Sequence, residues 1–195
     1  MLLKYTRIAP GDIFKSSWRK ITVKKGLAPS ASPGKDGNIL VAYFSHSGNT
    51  RVIANQIHES VGGNIFEIMS VDPYPGDYDA VVAQARKELD EDYRPKLKTK
   101  VKNMGSYNVV FVGNPNWWGT MPRPVATFLS TYDLSGKAIV PFCTHEGSGL
   151  GRCVADIKEL CPRSKVLDGL AVRGSYVKKA QSEVSGWLRK IGMKE

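Results

Sequence analysis

The sequence predicts a three-layer α/β fold, with a five-stranded parallel sheet in the order 2-1-3-4-5 and helices on both faces. Three observations predict it. From Asn38 onward, strand-length apolar runs alternate with helical apolar stripes through five rounds. The runs are apolar at consecutive positions, as in strands covered on both sides. The chain has 195 residues, 42% of them hydrophobic, enough for one sizeable core and short of two complete domains. Right-handed crossovers then leave few topologies, and 2-1-3-4-5 is the commonest for five units.

In order, Ile39 to Phe44 is the first strand, and Thr50 to Val61 a helix with Ile53, Ile57 and Val61 on one face. Asn64 to Ser70 reads as a strand. Asp77 to Glu91 reads as a helix, with Tyr78, Val81, Val82, Ala85 and Leu89 at helical spacing and acidic residues in its first turn, where the helix dipole favours them. Asn108 to Val112 is a buried strand, followed by a helix from Pro122 to Tyr132. Residues Ala138 to Phe142 and Gly151 to Leu160 repeat the pair. Val166 to Val172 is the fifth strand. Val177 to Ile191 is the last helix, with Val177, Ala180, Val184, Leu188 and Ile191 in one stripe.

Residues 1–37 precede this pattern as a basic leader, and its small-residue end, Leu27 to Gly37, reads as a linker. The leader holds eight Lys/Arg and two Asp, so it carries +6 of the chain's +10 and leaves +4 to residues 38–195. The basic character therefore belongs largely to the leader rather than to a nucleic-acid face of the domain. Phe14, Trp18 and Ile21 permit a basic amphipathic helix, which the β-branched run Ile21-Thr22-Val23 weakens. The plainer reading is a tail that packs on the domain or on a neighbouring chain, or is disordered. A targeting peptide fits the charge but lacks a cleavage signal.

Cys143, Cys153 and Cys161 are odd in number, and the last two would lie about 12 Å apart on a helix, too far to bridge. Free, buried thiols in a reducing, cytoplasmic compartment are the simplest reading. No run approaches the roughly 20 apolar residues that span a bilayer. Lys96, Lys98, Lys100 and Lys102 alternate with Leu97, Thr99 and Val101, a row that suits a solvated or protected edge. A nucleic-acid groove would interleave aromatic residues to stack bases, and none are present.

In a 2-1-3-4-5 sheet the loops after strands 1 and 3 face each other across the switch point, where ligands bind. The first is Ser45-His46-Ser47-Gly48-Asn49-Thr50 at a helix start. Its hydroxyls, glycine and helical N–H groups suit a phosphate dianion. It is neither a Walker A loop nor G-x-G-x-x-G. An ordinary capped helix start accounts for Asn49 or Thr50 alone, not for four donors around a glycine. This run, with Tyr43 and Phe44 before it, resembles the phosphate-binding loop of flavodoxins, Ser/Thr-x-Thr-Gly-Asn-Thr, with Ser47 in place of the commoner Thr.

The loop after strand 3 contains Pro115-Asn116-Trp117-Trp118-Gly119 and resembles short-chain flavodoxin-like proteins. Adjacent tryptophans diverge, so at least one is expected to meet a flat apolar partner, unless both simply cover the core. Gly119 would allow close backbone approach to that partner. The loop after strand 4, with Thr144-His145-Glu146-Gly147-Ser148-Gly149, is similar to the Thr-His-x-Gly-Ser-Gly stretch beside the flavin in the same family. Cys143-x-His145 lacks the second pair that a metal site needs, and no metal is expected. The resemblance covers residues 38 to 195.

It implies FMN as cofactor. Residues Ser45 to Thr50 would hold its phosphate, Trp117 or Trp118 would flank the ring, and the backbone of Asn116 to Gly119 and Thr144 to Gly149 would meet its polar edge. His145 is the candidate catalytic residue, assisting protonation of a reduced substrate, since histidine suits proton transfer near neutrality. The alternative is a histidine that only hydrogen-bonds its loop. An NAD(P)H-dependent, quinone-reductase-like activity is the preferred function, and a flavodoxin-type electron carrier between protein donor and acceptor is the rival. The domain's mildly basic charge favours the enzyme, because electron-carrying flavodoxins are typically acidic. Pairing of two chains around the flavin is left open.

Overall fold

The computed structural model describes residues 38–194. The readings of the leader, helix and linker alike, fall outside the described residues. Strand β1 (Ile39–Tyr43) leads to α1 (Asn49–Val61), β2 (Asn64–Glu67) to α2 (Tyr78–Asp90), and β3 (Val109–Pro115) to α3 (Arg123–Thr131). Strand β4 (Ala138–His145) precedes α4 (Cys153–Leu160), and two short strands, β5 (Lys165–Val166) and β6 (Leu170–Arg173), precede α5 (Gln181–Lys190). The sheet is parallel in the order β2-β1-β3-β4-β5, with β6 also on β4. The predicted architecture holds.

The strands are continuously apolar because each residue serves one of two cores. In β1, Leu40 and Ala42 join Phe128, Leu129 and Ile157 of α3 and α4 on one face. Ile39, Val41 and Tyr43 join Ile53 and Ile57 of α1 and Val184 and Leu188 of α5 on the other. This is the two-residue period of a strand read from both sides. Burying a side chain such as Leu40 or Ile53 fully is worth roughly 1.5–3 kcal/mol.

The fifth strand departs from its expected continuous run. Between the Ile139↔Val166 and Phe142↔Leu170 pairs, β4 advances three residues and its partner four, which is a bulge. Ile139 accepts from Leu167 N at 2.9 Å on this side. By strand alternation, Pro141 turns its nitrogen, which carries no hydrogen, to the same side. The ladder therefore has no donor where the partner breaks at Asp168-Gly169.

Three boundaries also move. β2 ends at Glu67 rather than Ser70, and Ser70 instead forms an antiparallel bridge to Leu97. β4 runs on past Phe142 to His145. The stripe expected on one helix from Val177 is shared between a 3-10 turn, Gly174–Lys179, and α5. Val177, Ala180, Val184 and Leu188 are nonetheless buried together, so the contact face was read correctly although its backbone is not uniformly α. Lys96, Lys98, Lys100 and Lys102 are all exposed, while Leu97 and Val101 pack on the core.

Candidate functional site

The loop between β1 and α1 ends in Gly48, at φ 92, a left-handed conformation that glycine adopts without steric cost. As the N-cap residue, glycine has no side chain with which to cap α1. Ser45 Oγ accepts from Arg51 N at 3.3 Å. Among the described residues, the N–H groups of Ser47, Gly48, Asn49 and Thr50 have no acceptor. Unsatisfied donors at the positive end of a helix dipole form a site for an anion. The Arg51 side chain in the first turn of α1 is paired with Glu67 at 2.5 Å.

The loop after β3 is a tight reversal. Trp117 and Thr120 exchange backbone hydrogen bonds at 2.9 and 3.0 Å, and Trp118 and Gly119 between them have φ 53 and 80. Positive φ at both central residues is the type I′ pattern. The first of those positions normally holds Asn, Asp or Gly, and a tryptophan there costs roughly 1–2 kcal/mol. The conformation sends the two rings apart. Trp117 meets Phe44, Tyr74 and His46 edge to face, with centroids 5.5, 5.1 and 5.8 Å away. Trp118 stays half exposed, its indole donating to Val82 O at 3.1 Å and carrying the Arg86 guanidinium 5.3 Å from its centroid.

The loop after β4 is joined to both others. Thr144 Oγ1 and Thr50 Oγ1 are 2.8 Å apart and buried. Asn116 N donates to Thr144 O at 2.8 Å and Asn116 Nδ2 to Gly149 O at 2.9 Å. Arg152 N donates to Gly119 O at 2.7 Å. A Cβ on Gly151 would lie 2.2 Å from that same oxygen, so glycine is what lets the two loops close on each other.

Together the loops enclose a cavity of about 680 Å³, within the range of small-molecule sites. His46, Ser47 and Asn49 line one part and Thr144 to Ser148 another, while Pro115, Asn116 and both tryptophans form the β3 side. Ser45, Gly48, Thr50, Gly119 and Gly149 do not line it. Four of them hold the loops instead: Ser45 through Arg51, Thr50 through Thr144, Gly119 through Arg152 and Gly149 through Asn116.

Helix α2 supplies a wall that the sequence analysis did not include among the site residues. Val81 and Ala85 are buried, but Tyr78 is 76% exposed, and all three line the cavity with Val82. The available signal was the width of the stripe, since Tyr78 and Val82 lie beside the Val81–Ala85 line rather than on it. A second cavity, of about 570 Å³, shares only Trp118 with the first.

His145 Nδ1 accepts from Gly147 N at 2.9 Å, so the neutral ring carries its proton on Nε2. His46 donates from Nε2 to Pro75 O at 2.8 Å, which orients it against Trp117. Cys143, Cys153 and Cys161 are free and buried. Among the described residues, no cluster of three or more His, Cys, Asp or Glu is placed to hold a metal ion, and no helix is long and apolar enough to cross a membrane.

Comparison with known proteins agrees with this geometry. No match is found among curated proteins. A candidate flavoprotein from Bacteroides eggerthii is 32% identical, with a TM-score of 0.71, over 80% of this chain and 98% of its own. A second, from Bacteroides uniformis, is 27% identical with a TM-score of 0.70, over 78% and 98%. A flavoprotein from Lactobacillus acidophilus, solved in complex with FMN, shares the fold at 21% identity and a TM-score of 0.60, over 74% and 98%. The flavodoxin family model matches residues 38–191. With its sheet order and this match over most of its length, the chain belongs to the flavodoxin family.

Proposed function

We propose that this protein binds FMN in the 680 Å³ cavity and works as an oxidoreductase, reduced by NAD(P)H and passing electrons to a quinone-like acceptor. FMN is the cofactor of the flavodoxin family. The observation that carries the reading is the uncapped start of α1, where Ser47 and Asn49 line a cavity that turns aromatic toward Trp117 and Trp118. A phosphate at one end and a flat ring at the other answer both parts of that surface.

Bound FMN supplies hydride and electron transfer. The chain supplies position and shielding. The N–H groups of Ser47 to Thr50 and the Ser47 and Asn49 side chains hold the phosphate. Trp117, fixed by Phe44, Tyr74 and His46, is a rigid wall that excludes water, and Trp118 with Tyr78 forms the outer rim where a substrate enters. Backbone from Pro115 to Trp118 and from Thr144 to Ser148 faces the ring's polar edge. His145 holds a proton on Nε2 at the cavity wall, placed to hand it to a reduced acceptor.

Stopped-flow mixing of FMN-loaded protein with NADH or NADPH, with and without a quinone, tests the reading. Bleaching of the flavin by a nicotinamide and its recovery by the quinone are expected. No bleaching by either nicotinamide, with reduction only by a protein donor, would make the protein a carrier between protein partners.

A further inference from the structure

The buried thiols of Cys143 and Cys153 belong to no part of the proposed flavin chemistry, yet they meet each other under the β4 loop. Cys143 lies near the end of β4 and Cys153 opens α4, so the two bracket the cavity-facing segment 144–152. Asn114 Nδ2 stands 3.4 Å from Cys153 Sγ and 3.9 Å from Cys143 Sγ. Cys143 Sγ also lies 3.4 Å from Thr144 O and 3.7 Å from Gly149 O, so its S–H has carbonyl acceptors, and each thiol is only 1% exposed.

Their surroundings are unequal. Cys153 is the first residue of α4, where the helix dipole favours a negative sulfur. The neighbouring Cys143 thiol and the Asn114 amide, 3.4 Å away, favour its charged form, and its pKa is lowered. Cys143, beside that sulfur and desolvated, is raised. The arrangement is that of an attacking thiolate beside a protonated resolving thiol. Cys161, raised to about 11 by burial alone, has no thiol partner and serves as an internal control.

We propose that Cys143 and Cys153 form a second redox centre, a dithiol that hydroperoxides oxidise reversibly to a disulfide. The Cys153 thiolate attacks the terminal oxygen of the hydroperoxide. An S–O bond forms, the O–O bond breaks, and the leaving alkoxide takes a proton to become the alcohol, or water when the oxidant is hydrogen peroxide. Cys143 sulfur then attacks the sulfenic sulfur of Cys153. The S–S bond forms, the S–O bond breaks, and hydroxide leaves as water with the Cys143 proton. Two thiols are oxidised by two electrons and one peroxide is reduced. Entry needs only a small opening of the segment carrying Gly147, Gly149 and Gly151, all at positive φ. The disulfide ties β4 to α4 and closes the loop that lines the cavity. None of this depends on flavin binding.

The test uses the reduced full-length chain, which has three cysteines. After brief treatment with hydrogen peroxide, it is denatured, alkylated with iodoacetamide and weighed intact. The expected product is lighter by two hydrogens before alkylation and takes one label instead of three. Digestion is expected to yield a Cys143–Cys153 linked peptide, and dithiothreitol to restore three labels. Cys161→Ser is expected to take no label after oxidation. Cys143→Ser is expected to stop at a dimedone-reactive Cys153, and Cys153→Ser to leave Cys143 unoxidised. Three labels on peroxide-treated wild type, a linkage through Cys161, or conversion of Cys153 to sulfinic acid without a disulfide would overturn the proposal. The wild-type measurement decides it even if a variant misfolds.

Discussion

The hydroxyl groups of Thr50 and Thr144 meet at 2.8 Å, both buried, and so join the start of α1 to the end of β4. Two loops that share no sequence neighbourhood are thereby held as one surface. Each hydroxyl is the other's buried partner.

Thr144→Val keeps the shape of the side chain but strands Thr50 Oγ1 without its partner. A buried group left unsatisfied costs about 1–3 kcal/mol, which lowers the melting temperature by roughly 3–10 °C for a domain of this size. The double variant Thr50→Val/Thr144→Val is expected to recover part of that loss, since both polar atoms are then gone. Thermal melts of the three variants check this. Equal or greater loss in the double variant would show that the hydroxyls act separately.

Gly151→Ala tests the closure of the two loops over the cavity. The added methyl would sit 2.2 Å from Gly119 O at a backbone φ of 52, so the loops must part. A stability loss of at least about 2 kcal/mol is expected, along with FMN affinity weakened about tenfold or more. Fluorescence titration and a melt read both. Near-wild-type values would mean that the loops do not depend on this contact.

The two tryptophans are expected to separate by what they hold. Trp117→Ala removes the ring packed among Phe44, Tyr74 and His46 and should cost about 2–4 kcal/mol. Trp118→Ala removes a half-exposed ring and leaves the left-handed backbone as strained as before, since alanine keeps the Cβ. Its melting temperature is expected within a few degrees of wild type, with the effect falling on flavin and substrate binding instead. Melts beside FMN titrations distinguish the two.

How much of this was legible in the sequence follows from the range over which each signal acts. Strand order and the two cores could be read because Ile39 to Phe44, Val109 to Val112 and Ala138 to Phe142 carry their burial in consecutive positions. The phosphate-loop candidate could be read because its donors are adjacent in the chain. The bulge opposite Pro141 could not, because it depends on which side a proline nitrogen faces in a sheet whose register is tertiary. Nor could the α2 wall, where Tyr78 and Val82 look like core until neighbouring elements leave them uncovered. The juxtaposition of Cys143 with Cys153 escaped for the same reason: it shows only once Asn114 is seen to reach both sulfurs.

Alkaline pH is expected to destabilise the fold through Cys161. Burial pushes this thiol up to about 11, above its ordinary range near 8.5. The unfolded chain therefore releases this proton at a lower pH than the folded one. Stability is fully present below about pH 8.5 and falls as pH rises toward 11, by roughly 2–3 kcal/mol. Cys161→Ala is expected to show a shallower decline over that window, whatever its offset at neutral pH. Melts from pH 7 to 11 measure the slope, and parallel curves would refute this assignment.

The account rests most directly on phosphate capture by the free donors of Ser47 to Thr50. Titrating the protein with FMN and, separately, with riboflavin isolates that phosphate. FMN is expected to bind one per chain with quenched flavin fluorescence and a raised melting temperature, and riboflavin at least about tenfold more weakly, the ratio that 1.4 kcal/mol of phosphate recognition produces. Equal affinity for the two flavins, or no binding of FMN at saturating concentration, would contradict it.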